Sequence, residues 1–183
     1  MPKVYEFLAN GFEEIEALAP VDILRRGGIE VVTVSITAST SVESAHGITV
    51  IADKHFDDVD LSDADMFILP GGMPGAKNLL EHDGVCAALM LQNEKGSKIA
   101  AICAAPMVLG QNGILNSRRA TCYPGFERYL DGADYTGDMV TVDGNITTGR
   151  GPGAAMAFAY QILSYFVDHA TVENLKKGMI YKQ

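Results

Sequence analysis

The chain has 183 residues, of which 48% are hydrophobic and 20% are charged, and its formal net charge at pH 7 is −9. This length and composition predict one globular domain, residues 1–183, with a substantial hydrophobic core. The acidic balance, without any basic run, argues against a nucleic-acid-binding surface. No apolar stretch is long enough for a membrane span or a signal peptide, so we expect no membrane association.

Strand and helix signals alternate along the chain, which predicts a mostly parallel sheet covered by helices on both faces. The predicted strands cover residues 3–8, 29–36, 65–69, 98–102 and 118–123, with a short strand pair over 40–52 and a β-hairpin over 139–148 that turns at Asp143-Gly144. The predicted helices cover residues 13–26, 75–94 with a break near Asp83-Gly84, the segment after Cys103 to about Gln111, 151–167 and 171–178.

The most informative segment is the predicted strand 98–102, which ends at Cys103 and turns at once into a helix. Small residues flank the cysteine two positions before it, at Ala101, and two positions after it, at Ala105. A sharp strand-to-helix turn needs small neighbours, so this pattern predicts a nucleophile elbow that carries a thiol. The field of the following helix favours the thiolate, although a buried structural cysteine is the alternative reading.

Four segments fall at the carboxyl ends of the predicted strands, where open α/β sheets bind ligands. They are Asn10-Gly11-Phe12-Glu13, Pro70-Gly71-Gly72, Cys103 itself and Arg150-Gly151-Pro152-Gly153. A glycine pair after a strand is usually a tight turn, but it also lets a backbone N–H approach a ligand. With the N–H of Ala104, Gly72 would form an oxyanion hole over Cys103.

The acidic candidate is Glu16, in the first turn of the first predicted helix. It lies three residues before Ala19 and seven before Ile23, so it shares their apolar stripe, whereas Glu13 and Glu14 point elsewhere. A carboxyl group that faces inward loses solvent, which raises its pKa. Glu16 is therefore expected to hydrogen-bond the Cys103 sulfur and to move a proton.

No histidine has an obvious place beside the thiol. Only His46, in the turn of the predicted strand pair, is near enough to reach the pocket. At the end of the 118–123 strand, where a histidine could act on the thiol, the residue is Tyr123. These positions favour a cysteine–glutamate pair over a catalytic triad. His82 and Cys86 are four residues apart on a helix, but two ligands without a third predict no metal site.

The cysteines at positions 86, 103 and 122 are too few, and odd in number, for a disulfide framework. We therefore expect a reducing compartment, the cytoplasm. Cys122 is read as a buried strand residue, with a resolving thiol for Cys103 as the alternative.

Several of these motifs together resemble the ThiJ/PfpI superfamily, in the branch of the human parkinsonism-associated protein deglycase and its bacterial homologues. The matching segments, in chain order, are Gly11-Phe12-Glu13-Glu14-Ile15-Glu16, Pro20-Val21-Asp22, Arg25-Arg26-Gly27-Gly28-Ile29, Leu69-Pro70-Gly71-Gly72, Ala100-Ala101-Ile102-Cys103-Ala104-Ala105-Pro106 and Gly151-Pro152-Gly153. The resemblance implies a flavodoxin-like three-layer α/β sandwich and a homodimer. It also implies a reactive Cys103 with a protonated Glu16 as its partner, and an oxyanion site at Gly72 and Ala104.

The same resemblance implies cofactor-free chemistry without a metal, on small α-dicarbonyls or on glycated groups, with roles in carbonyl and oxidative stress. PfpI-type proteases have a histidine directly after the cysteine, and Ala104 stands there in this chain, so a protease is not expected. The human-type branch has a histidine at the position of Tyr123 and an arginine at that of His46. We expect Tyr123 and His46 to line the pocket, together with Arg150 and Gly151.

Three functions remain open from the sequence. The first is a glyoxalase or deglycase that uses Cys103 as its nucleophile. The second is a redox sensor or chaperone that works through oxidation of Cys103. The third is an α/β binding domain that keeps the pocket without catalysis.

Overall fold

The structure is a computed structural model, and it describes residues 1–182. The strands are β1 (Lys3–Leu8), β2 (Glu30–Ser35), β3 (Ser41–Glu43), β4 (Thr49–Ile51), β5 (Lys54–His55), β6 (Met66–Leu69), β7 (Lys98–Ile102), β8 (Arg119–Ala120), β9 (Asp134–Tyr135), β10 (Val140–Asp143) and β11 (Ile146–Gly149). The helices are α1 (Glu14–Arg26), α2 (Gly75–Leu80), α3 (Asp83–Glu94), α4 (Pro106–Gln111), α5 (Ala155–Leu163) and α6 (His169–Gly178). Short 3-10 helices cover Phe56–Asp58, Glu127–Tyr129 and Pro152–Ala154.

Seven strands form the central sheet in the order β10-β11-β7-β6-β1-β2-β5. All neighbours pair in parallel except β10, which forms an antiparallel edge with β11. The predicted hairpin is thus part of this sheet, and it puts the end of β11 beside the end of β7. The predicted strand pair is present as β3 and β4, which form a small antiparallel sheet of their own.

Helices cover both faces of the sheet, which confirms the flavodoxin-like three-layer sandwich. Alternate residues of a strand enter different cores, because successive side chains point to opposite faces. On β1, Val4 packs with α1, α5 and α6, whereas Tyr5 and Phe7 pack with α2, α3 and α4. A parallel sheet of this kind has no solvent-facing side. In the part of the chain that the structure describes, no helix is long and apolar enough to cross a membrane.

Two predicted elements are shorter than expected. The strand predicted over 118–123 is reduced to β8, because the Thr121 N–H donates to the Thr148 hydroxyl at 2.9 Å and the chain then bends across the sheet edge. The helix predicted over 151–167 starts with a 3-10 turn at Pro152 and ends at Leu163. The break within 75–94 is present, and the His82 ring caps α3 by accepting from the Val85 N–H at 3.1 Å.

One polar side chain is out of place in the core. Glu6 of β1 is fully buried, and neither of its carboxyl oxygens has a hydrogen-bond partner in residues 1–182. Burial raises the pKa of Glu6 well above its usual range, and the positive charge of Arg25 opposes that shift. The fold therefore holds Glu6 as a neutral acid.

Candidate active site

Cys103 occupies the sharp turn that the sequence predicts between β7 and α4. Its φ angle is +64°, a left-handed conformation that is strained for any residue with a side chain. Two backbone bonds hold it there: the Cys103 N–H donates to the Gly149 carbonyl, and the Cys103 carbonyl accepts from the Tyr123 N–H, both at 2.9 Å. Ala101 and Ala105 are fully buried against the turn. The elbow is therefore present, although α4 begins only at Pro106.

Glu16 lies in the first turn of α1 and is fully buried, as its place in the apolar stripe predicts. Its N–H donates to the carboxylate of Glu13, the N-cap residue, at 2.8 Å, and its Oε2 accepts from the Gly71 N–H at 2.9 Å. The Oε1 atom has no hydrogen-bond partner among residues 1–182, and the carboxyl group lies beside the Cys103 thiol. These contacts aim the carboxyl group at the sulfur.

The glycine pair after β6 brings backbone donors to the thiol. A Cβ atom on Gly71 would fall 2.6 Å from Glu16 Oε2 and 2.7 Å from Cys103 Cβ, so only glycine fits between the two side chains. Gly72 has a φ of +85°, and its N–H, like that of Ala104, lies near enough to the Cys103 sulfur to lower the pKa of the thiol. That these two N–H groups stabilise an oxyanion stays a prediction.

The protonation states of Cys103 and Glu16 are coupled. Burial raises the pKa of Glu16 to about 7, and the nearby Glu13 carboxylate adds to the shift. Burial also raises the pKa of the Cys103 thiol, and a charge on Glu16 raises it further, while the Gly72 and Ala104 N–H groups lower it. Like charges this close do not both ionise, so the pair loses one proton near neutral pH and keeps the second into the alkaline range.

The expectation of a thiol with a lowered pKa was therefore wrong in direction. Cys103 is only 8% exposed and lies beside a second acid, and both effects disfavour a free thiolate. The helix that was expected to favour it, α4, has six residues and starts three positions later.

His46 does not pair with the thiol. Its ring is exposed, and Nδ1 lies 3.0 Å from Glu14 Oε2, which raises the pKa of His46. Glu13 and Glu14 are also buried, whereas the sequence analysis predicted that both point away from the apolar stripe. One ligand atom from each of these three residues lies within 4.8 Å of the others, although Glu13 is engaged as the helix cap and Glu14 by the imidazole.

The structure brings Tyr123, Arg150 and Gly151 together at the same sheet edge. They line a cavity of about 210 Å³, and a Cβ atom on Gly151 would fall 3.1 Å from the Tyr123 ring. Two residues of this region were not among the site residues predicted from the sequence. Gly149 accepts the Cys103 N–H, and Met139 forms part of the cavity wall. Neither has a local signal, since each is placed by the pairing of β10, β11 and β7.

The other two cysteines are not part of the Cys103–Glu16 pair. Cys122 is fully buried, as predicted, and burial raises its pKa to about 12, but it lies two residues beyond β8 rather than in a strand. Cys86 is half-buried, and its Sγ donates to the Leu80 carbonyl at 3.2 Å. The ring of His82, four residues before Cys86, caps α3.

The fold and site define a flavodoxin-like α/β domain that presents a cysteine on a strained elbow beside a buried glutamate. Residues 2–165 match the model of the DJ-1/PfpI family, and the chain belongs to that family. Over its full length it is similar to the crystal structure of a C103A mutant of a DJ-1 superfamily protein from Salmonella typhimurium, with a TM-score of 0.96, 34% identity and 100% of both chains covered.

Three curated relatives are similar in sequence. Protein DJ-1 homolog B of Arabidopsis thaliana is 37% identical over 88% of this chain, which spans only 37% of that protein's length. A glutathione-independent glyoxalase of Caenorhabditis elegans is 35% identical, with 82% of this chain and 81% of that protein covered. A deglycase of Pyrococcus abyssi (strain GE5 / Orsay) is 34% identical, with 82% of this chain and 90% of that protein covered.

Proposed function

We propose that the chain is a cofactor-free enzyme that converts small α-dicarbonyl compounds, or their adducts on glycated groups, into hydroxy acids with Cys103 as the nucleophile. The observation that carries this proposal is the Cys103–Glu16 pair. A strained thiol lies beside a buried carboxyl group with a pKa near 7, under two backbone N–H groups. Relatives named as a glyoxalase and as a deglycase support the same class of activity.

The contacts allow a balanced reaction for methylglyoxal. The Glu16 carboxylate takes the proton of the Cys103 thiol, and the sulfur attacks the aldehyde carbon. The N–H groups of Gly72 and Ala104 stabilise the oxyanion until Glu16 returns the proton, which gives a hemithioacetal. Glu16 next removes the proton from C1, which gives an enediolate, and returns it to C2. The hydroxyl proton on the C1 oxygen moves to the C2 oxygen in the same isomerisation, so the adduct becomes a thioester of the hydroxy acid. Water then cleaves the thioester to lactate and the free thiol.

A peptide-bond hydrolase is not the function that we propose. Ala104 follows the cysteine, and in residues 1–182 the side chain whose charge acts on the thiol is the carboxyl of Glu16 rather than an imidazole. A protease must protonate an amine leaving group, and triad enzymes use a histidine for that step. An aldehyde has no leaving group to protonate, which suits a single carboxyl beside the sulfur.

The direct test is lactate formation from methylglyoxal, with Cys103→Ser and Glu16→Gln as the variants. Both should fall to the rate without enzyme. Cys86→Ser is the matched control, because this thiol is free and half-buried but bonds the Leu80 carbonyl, and it should keep full activity. Turnover that survives in Cys103→Ser would refute the proposal and leave a binding domain as the better reading.

A second candidate, a redox sensor, is favoured by the unpartnered Oε1 of Glu16. A protonated Glu16 could donate a hydrogen bond from this side to an oxygen of an oxidised Cys103. Mild peroxide followed by peptide mass spectrometry tests it. Oxygen should add to Cys103 before Cys86, and the reverse order would reject the sensor role.

We also propose a homodimer. Four apolar side chains are 40 to 67% exposed on α1 and on the β3–β4 hairpin, which pack together through Val42 and Ala17: Ile15, Leu18, Ile48 and Ile51. Exposed apolar groups that adjoin one another mark association surfaces. Sedimentation analysis should give a dimer for the parent and a monomer for Ile51→Glu.

Since all three cysteines are free, we expect the enzyme to work in a reducing compartment, the cytoplasm.

A further inference from the structure

The carboxyl groups at the start of α1 have one basic partner within ion-pair distance in the part of the chain that the structure describes, and it is His46. This histidine lies in the turn between β3 and β4, and its Nδ1 is 3.0 Å from Glu14 Oε2. The imidazole side chain is 69% exposed, whereas the Glu14 side chain is only 11% exposed. The proposed reaction of Cys103 and Glu16 gives this ion pair no role.

A chain of contacts leads from the imidazole to the base of the reaction. One side-chain atom each of His46, Glu14 and Glu13 lies within 4.8 Å of the other two. Glu13 in turn accepts the backbone N–H of Glu16 at 2.8 Å, as the N-cap of α1. Burial, and after it the charge on Glu13, raise the pKa of Glu16. Two carboxylates therefore stand between the imidazole and Glu16, and the nearer one to Glu16 opposes its ionisation.

The charge on His46 changes in the same pH range as the charge on Glu16. The bond to Glu14 raises the pKa of His46 above its usual 6.5, and the pKa of Glu16 is about 7. When His46 is protonated, its positive charge offsets one of the two carboxylates, and a neutral imidazole leaves both uncompensated. Fewer negative charges nearby make a carboxyl group easier to ionise. Protonated His46 therefore favours the ionised form of Glu16.

Few other charges act on these two groups. Among residues 1–182, the ionisable groups that act on His46 are Glu14 and Glu13 of α1. Those that act on Glu16 are Glu13, from its own helix, and the Cys103 thiol, from the elbow between β7 and α4. The link between His46 and Glu16 is thus not masked by a lysine or an arginine.

We propose that protonated His46 promotes ionisation of Glu16 through the carboxylates of Glu14 and Glu13, and thereby keeps the base of the reaction available as the pH falls. This inference rests on the proposed function, in which Glu16 is that base. His46 is a positioning residue, since it contacts Glu14 and not the sulfur. The effect is reciprocal by linkage, so ionised Glu16 also favours the proton on His46.

The kinetic test is the dependence of kcat/KM for methylglyoxal on pH, which should rise as Glu16 ionises and then level off. His46→Gln keeps a hydrogen-bond donor for Glu14 but carries no charge. It should move the midpoint of the rise to higher pH by roughly 0.3–0.5 unit, which is about a two- to threefold loss at pH 6 relative to its own plateau. His46→Arg keeps both the donor and the charge, so its midpoint should stay at or below that of the parent.

The charge is distinguished from a purely structural ion pair by these two variants, because either side chain could fasten the hairpin to α1. An unmoved midpoint in His46→Gln, or an equal upward shift in His46→Arg, would overturn the proposal. His169→Gln is the matched control and should match the parent, because it removes an exposed histidine whose charge acts on Asp168 and Glu173 instead.

The proposed dimer surface includes Ile48, two residues from His46, so each profile is measured at two protein concentrations. A midpoint that moves only with protein concentration would assign the effect to dissociation and overturn the proposal. A shift in His46→Gln that is the same at both concentrations supports it.

An NMR titration separates this proposal from the proposed function, because it needs no substrate. The ring-proton signal of His46, assigned by its loss in His46→Gln, should report a lower pKa in Glu16→Gln than in the parent. Glu13→Gln should lower it as well, since it removes a carboxylate but keeps an oxygen to accept the Glu16 N–H. Normal turnover with a His46 pKa that is the same in Glu16→Gln would reject the link and keep the enzyme. No turnover in the parent, with the His46 pKa lowered in Glu16→Gln, would reject the enzyme and keep the link between the two groups.

Discussion

Glu6 gives the sharpest physical prediction, because its carboxyl group is buried without a partner in the middle of the sheet. It lies in register with Thr33 of β2 and Ile68 of β6, neither of which is ionisable, and Arg25 is the charged residue that acts on it. The Arg25 guanidinium already donates to Asp53 at 2.6 Å. The folded state therefore prefers neutral Glu6, while the unfolded chain ionises it near its usual pKa of about 4.3.

The sign of the pH dependence follows from proton counting. Above about pH 4.3 the folded state binds one proton more than the unfolded state at Glu6, so raising the pH favours unfolding until the folded carboxyl group ionises. The slope is about 1.4 kcal/mol per pH unit for one proton. Between pH 5 and pH 7 this amounts to a loss of at most about 3 kcal/mol.

The assay is urea unfolding followed by circular dichroism at pH 5, 6 and 7. Other groups, including Glu16, also titrate in this range, so the parent is compared with Glu6 variants, and the difference in unfolding free energy isolates Glu6. Glu6→Gln should lose this component, so its advantage over the parent should grow with pH. Glu6→Met should in addition remove a buried polar group that lacks partners, a gain of about 1–3 kcal/mol. Glu30→Gln on the exposed end of β2 is the control. Parallel pH curves for parent and Glu6→Gln would refute the reasoning.

Three further predictions concern the site. Gly71→Ala should abolish turnover, because its Cβ atom would displace Glu16 from Cys103, whereas Gly153→Ala, where an added Cβ meets nothing within 4 Å, should be neutral in the same lactate assay. Glu16→Gln should lower the pKa of the Cys103 thiol, because it removes the adjacent charge. Iodoacetamide should therefore alkylate Cys103 at a lower pH than in the parent, although turnover is lost. An unchanged dependence of alkylation on pH would contradict the coupling between the two groups. Glu13→Ala should lose the cap of α1, about 1 kcal/mol in urea unfolding, and should also lower kcat; normal kcat would show that the cap does not orient Glu16.

The sequence predicts the parts of the site that depend on local geometry. Ala101 and Ala105 indicate the elbow because a tight turn needs small flanking residues wherever it occurs, and Glu16 is recognisable because helix periodicity fixes its face. The position of Tyr123 against Cys103 is not local, since it depends on the bond from the Thr121 backbone N–H to the Thr148 hydroxyl, which follows the end of β8. Glu6 is hidden for a different reason. In a strand buried on both faces, an alternating pattern does not mark a solvent side.

The pKa directions change how the thiol must be activated. A cysteine at a helix N-terminus can persist as a thiolate, but Cys103 is buried beside Glu16, and its neutral form is favoured. Glu16, with a pKa near 7, is ionised in a large fraction of molecules at neutral pH and is a base of the right strength. Transfer of the proton from sulfur to carboxylate leaves the net charge of the buried pair at −1, so no second charge has to be desolvated. In the proposed reaction, the thiolate then exists only while Glu16 holds its proton, and the same carboxyl group is protonated when the new oxyanion needs a proton. The proposed mechanism thus links activation of the nucleophile to completion of the addition step.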